Sequence, residues 1–170
     1  MPTRKEIAQF YRLALRFRLV DTAEVDRWVN SVIAAEPVAI FPFCDLAGAS
    51  NLPSETVEQL LGQVSGPGEA YVPGRMMLAL LRRRLRDGAL TPETAIRFAL
   101  EAGGSGEVTE VEYHKADHLD DSVWLATNDT YGTLEEVRRH IAEFFETYAK
   151  FDEQIPTVAW ALSGCVVVKA

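Results

Sequence analysis

The chain has 170 residues, 48% of them apolar and 25% charged, with a formal net charge of −8. That balance belongs to a globular chain and excludes a disordered or collagen-like one; the length suits one domain that buries its core without disulfides or metals. Residues 1–100 hold 12 Lys and Arg against 11 Asp and Glu, whereas residues 101–170 hold 5 against 14, so the acidity lies in the last 70 residues. Such asymmetry bears on partners more than on fold.

From the N-terminus, Arg4, Lys5 and Glu6 are followed by Arg12, Arg16 and Arg18, with no uninterrupted apolar run, so no signal peptide is expected. Apolar positions recurring at i, i+3, i+4 and i+7 predict helices over residues 4–19 (Ile7, Phe10, Tyr11, Ala14, Phe17) and 22–35 (Val25, Trp28, Val29, Val32, Ile33). The same spacing predicts helices over 54–65 (Val57, Leu60, Leu61, Val64), 75–87 (Met77, Leu80, Leu81, Leu85), 92–102 (Ala95, Ile96, Ala99, Leu100) and 133–149 (Leu134, Val137, Ile141, Phe144, Phe145, Tyr148). Asp21 three residues before Glu24 and Thr133 three before Glu136 have capping-box spacing. Ser54 reads as an N-cap, and Thr91 precedes Pro92 at the first helical position.

Gly62, Gly66, Pro67, Gly68, Pro73 and Gly74 mark a loop, and Gly103, Gly104 and Gly106 mark a second break, the one candidate boundary within a single domain over 1–170. Glu107–Tyr113 and Thr157–Lys169 are rich in β-branched residues and admit a short strand pair; a turn of helix and an apolar tail are the alternatives. Ile155–Val168 is too short to span a bilayer and contains Pro156 and Gly164, so a cytoplasmic protein with no membrane partner is expected. The fold expected is therefore mainly α: an antiparallel helical bundle of six or seven amphipathic helices, with a short C-terminal β element as an option.

No catalytic motif and no cofactor motif is present. Ser105 lacks the flanking pattern of a nucleophile elbow, and Gly103-Gly104-Ser105-Gly106 has neither a preceding strand nor a following lysine. Cys44 and Cys165 read as free, buried thiols in a reducing compartment, inert without a basic neighbour, with a single distant disulfide as the alternative. His114 and His118, four apart, would share a helix face beside Glu110, Glu112, Asp117, Asp120 and Asp121; this 110–121 cluster is the one arrangement resembling a metal site, and it lacks a ligand motif. Arg82, Arg83, Arg84 and Arg86 form a basic run suited to nucleic acid, but they surround core positions, the net acidity opposes a polyanion, and the acidic half could instead pair with them internally.

The concentrated acids are Glu107, Glu110, Glu112, Asp117, Asp120 and Asp121, with one lysine among them and Tyr113, Trp124 and Tyr131 nearby. Acid interleaved with aromatic is the composition of a surface that attracts and anchors a basic protein, although a solvated face has the same charge pattern. Glu107, Glu110, Glu112, Asp117, Asp120, Asp121 and Trp124 are accordingly the candidate partner-binding residues.

Glu24-Val25-Asp26-Arg27-Trp28, Leu90-Thr91-Pro92-Glu93-Thr94-Ala95, Leu119-Asp120-Asp121-Ser122-Val123-Trp124-Leu125-Ala126 and Gly132-Thr133-Leu134-Glu135-Glu136-Val137 follow in an order that resembles small helical bacterial proteins of unassigned function. Some of these are similar to immunity proteins of polymorphic or contact-dependent toxin systems. The resemblance runs from about residue 10 to 150 and is carried mainly by capping and core patterns. It implies a non-enzymatic protein whose partner is a basic toxin, and it carries over no catalytic residue.

Overall fold

A computed structural model describes residues 1–35 and 41–156. The chain is a mainly α helical bundle. Its helices are α1 (Arg4–Arg16), α2 (Thr22–Ala35), α3 (Phe43–Leu46), α4 (Ser54–Gly62), α5 (Val72–Arg86), α6 (Pro92–Gly104), α7 (Glu110–Thr127) and α8 (Leu134–Glu146). Short 3₁₀ turns occupy Ala49–Asn51 and Ala149–Gln154. Cys165 and the proposed strand over Thr157–Lys169 lie outside the described residues.

The described chain divides into two compact units, the first built on residues 1–73 and the second on residues 74–153. In the first, α1 packs on α4, and α2 packs on α3 and the Ala49–Asn51 turn. Its core is an aromatic file: Phe10, Tyr11, Trp28 and Phe43 are all buried, with successive ring centroids 5.3, 5.2 and 5.5 Å apart. Thr3 and Glu6 cap α1 reciprocally, and the second Glu6 carboxylate oxygen accepts from the Glu69 backbone N–H at 2.7 Å. Burial opposes the charge of Glu6, but these bonds outweigh it and hold its carboxyl below the ordinary carboxylate range. One acid thus starts a helix and ties down the glycine-rich loop. Cys44, expected to be buried, is exposed, because the single turn of α3 directs Phe43 and Leu46 inward three residues apart.

In the second unit α6, α7 and α8 pack against one another. α5 is buried on every side from Met76 to Leu81, as an apolar run longer than one stripe requires. Gly74 lets this helix meet the chain at Glu107: a Cβ there would lie 1.9 Å from the Glu107 carbonyl oxygen. α6 continues through Gly103 and Gly104, two residues beyond its expected end. Thr91 caps it with Pro92 at the first position, as the sequence predicts, and Thr133 and Glu136 cap α8 reciprocally. Ser54 does not cap α4; it is the first helical residue, and Pro53 holds the cap position without a side-chain bond.

α7 replaces the strand reading of Glu107–Tyr113. Thr109 is its N-cap, Glu112 returns the bond to the Thr109 N–H at 2.8 Å, and the helix runs unbroken for 18 residues. The capping box overrides the β-branched bias of Val108, Thr109 and Val111.

Candidate functional site

α7 carries most of the candidate residues, and the helix sorts them onto different faces. Ala116 and Ala126 are buried and set its inner side, and Tyr113 lies against Gly103 of α6, where a Cβ would approach its ring to 2.4 Å. Glu112 is on this inner side. It accepts from the Thr109 N–H and hydroxyl and from Arg75 Nε at 2.9 Å, and its charge acts on the buried Tyr148 hydroxyl. Burial works against its charge, but the bonds from Thr109 and Arg75 prevail and keep its pKa below the ordinary value. Burial and the Glu112 charge push the Tyr148 hydroxyl upward. Glu112 is therefore structural, and it leaves the set of partner-binding candidates.

Glu107 also leaves that set's helical face. It is half-buried in the turn before α7, with its backbone against Gly74. Glu110, Asp117, Asp121 and Trp124 follow at spacings of seven, four and three, which places them on one outer stripe. The Glu110 side chain is 88% exposed and Trp124 is 64% exposed. Asp120 falls to one side of this stripe, and both it and Asp117 are half-buried. Four of the seven candidates thus form one face.

His114 and His118 are one turn apart, as the sequence places them. His114 Nε2 lies 3.6 Å from Glu110, and its ring leans on Tyr113. Among the described residues, no three His, Cys, Asp or Glu side chains are placed to hold a metal ion.

Both histidines instead line a groove of about 910 Å³ between α7 and α8. α7 contributes Val111, His114, Lys115, His118 and Leu119 to it. α8 contributes His140, Glu143 and Phe144; the segment after it adds Thr147, Tyr148, Lys150 and Phe151, and Arg75 and Glu112 complete the lining. All three histidines of the chain meet here. His140 is exposed, and no sequence pattern brings it to the groove it shares with His114 and His118. Each wall is a narrow stripe, 111, 115 and 118 on one helix and 140, 143/144 and 147 on the next, but the spacing does not pair the two.

The arginine run is largely absorbed within the second unit. Arg82 bonds Glu146 at 2.7 Å and Asp152 at 3.0 Å, and Arg83 reaches Asp152 at 3.0 Å. The Arg82 side chain is only 13% exposed, and its bond to Glu146 raises its pKa. The internal pairing weighed in the sequence reading is what the fold contains. On α8, Arg138 bonds Glu93 of α6 at 2.6 Å. No described helix is long and apolar enough to cross a membrane. Compared with models of known protein families, with curated proteins and with solved structures, the chain gives no match.

Proposed function

We propose that the chain is a non-catalytic protein-binding module, an immunity-type protein whose outer α7 face covers a basic surface of a toxin. The observation that carries this reading is the stripe of Glu110, Asp117, Asp121 and Trp124, with the indole 64% exposed among carboxylates. A large aromatic supplies the anchor of an interface, and surrounding charge of one sign supplies steering and partner choice. The two alternatives have less support. The metal-dependent reading finds no ligand group among the described residues. The nucleic-acid reading relies on arginines of which Arg82 and Arg83 are engaged with acids.

The test is titration calorimetry of the purified chain with the product of a toxin gene beside its own. A complex is expected whose affinity falls with added salt. Trp124→Ala should weaken it by about 2 kcal/mol or more, and reversing Glu110 and Asp121 to lysine by about tenfold or more. No complex, or one indifferent to these changes, defeats the proposal.

A further inference from the structure

We infer that the groove between α7 and α8 binds a small organic monoanion with an apolar body, of the aromatic or aliphatic carboxylate class. This inference uses the groove side of α7, not its outer stripe, and stands independently of the docking proposal.

The groove has the size of small-molecule sites, at about 910 Å³. Its apolar surface comes from Val111, Leu119, Phe144 and Phe151. Val111 is 65% exposed, a large apolar side chain left mostly in water beside the groove. Its charge runs against that of the chain. Three permanent cations, Arg75, Lys115 and Lys150, line it against two carboxylates, Glu112 and Glu143, in a protein of net charge −8.

The two lysines come from different walls, Lys115 from α7 and Lys150 from the turn after α8. Lys150 Nζ lies 5.4 Å from the centre of the Phe151 ring, so a cation and an apolar face stand together on that wall. Arg75 uses its Nε–H on Glu112, and a guanidinium carries four further N–H donors. His114, His118 and His140 add ring nitrogens that donate or accept. The carboxylates set the ligand's charge: Glu112 is already satisfied by Arg75 and Thr109, but Glu143 repels a second negative charge on the ligand. A singly charged head with an apolar body therefore fits better than a phosphate ester.

The test is an NMR titration of the full, isotope-labelled chain with phenylbutyrate, its neutral amide phenylbutyramide, and phenyl phosphate. Signals of His114, His118, His140 and Phe144 should move. The carboxylate should bind at least about tenfold tighter than the amide, and tighter than phenyl phosphate. Lys115→Gln combined with Lys150→Gln should weaken phenylbutyrate by about tenfold, with an unchanged circular dichroism spectrum because both lysines are exposed. Trp124→Ala should leave this binding unchanged. The inference is overturned if groove signals stay still, if the amide binds as well as the carboxylate, or if phenyl phosphate binds tighter. Indifference to the lysine changes, or loss of binding in Trp124→Ala, overturns it equally.

Discussion

Glu112 performs three tasks with one carboxylate. It closes the capping box of α7, pairs with Arg75, and through its charge raises the pKa of the buried Tyr148 hydroxyl. Because its folded-state pKa is lowered, its contribution to stability is full above the ordinary carboxylate range and is lost as pH falls through the folded value. Glu6 has the same sign in the first unit. Glu112→Gln should therefore lower the unfolding free energy at neutral pH by about 1–3 kcal/mol, since it leaves buried donors short of a charged acceptor. The gap from wild type should shrink as pH falls through the lowered folded-state value, where the wild-type carboxyl takes up its proton and both side chains become neutral. Urea titrations at neutral and acid pH measure it; an equal gap at both would detach the effect from the charge. The Thr109-x-x-Glu112 spacing stands in the sequence beside β-branched residues that suggest a strand and, unlike Thr133-x-x-Glu136, does not enter the sequence reading as a cap; no pattern announces that the same carboxylate meets Arg75, 37 residues upstream.

At the level of elements, the packing of α6 on α7 depends on an absent side chain. A Cβ on Gly103 would lie 2.4 Å from the Tyr113 ring, whereas a Cβ on the adjacent Gly104 meets nothing within 4 Å. Both are helical but close α6, so alanine gains at most about 1 kcal/mol of helix propensity at either position. Gly104→Ala should then stabilise the protein slightly, and Gly103→Ala should destabilise it by about 1–3 kcal/mol through overpacking. Thermal or urea unfolding of the two variants decides it, and equal effects would show that Tyr113 yields freely. Helices with one wide apolar stripe were legible: Phe10, Tyr11 and Ala14 on α1, or Val137, Ile141, Phe144 and Phe145 on α8, are all buried as their spacing demands. α7 was not legible as a helix, because only Ala116 and Ala126 on it are fully buried and its start is β-branched. α3 was missed for another reason, since one turn is too short for any periodicity to register.

For the whole molecule, the acidity of the last 70 residues has several destinations. Glu112, Glu146 and Asp152 neutralise arginines of α5, and Glu136 caps α8, where bonds from Thr133 hold its pKa low. What α7 displays is Glu110 and Asp121, exposed, with the half-buried Asp117 on the same stripe as Trp124. Composition showed the excess of acid but could not divide structural carboxylates from displayed ones, because that division is made by contacts with α5 from distant sequence. The groove was invisible for the same reason, its lining being shared among α5, α7 and α8. The exposed indole has an optical consequence. Trp28 is sealed between Tyr11 and Phe43, so quenchers in water reach Trp124 and not Trp28. The difference between wild-type and Trp124→Phe fluorescence isolates the outer indole. The carboxylates along its stripe should concentrate caesium there and repel iodide, so the ratio of caesium to iodide quenching of this difference signal should be highest at low ionic strength and fall as salt is added. A ratio unmoved by salt would mean that the acids do not share the indole's field; a bound partner should shut out both ions, so the protein carries its own unlabelled reporter of occupancy.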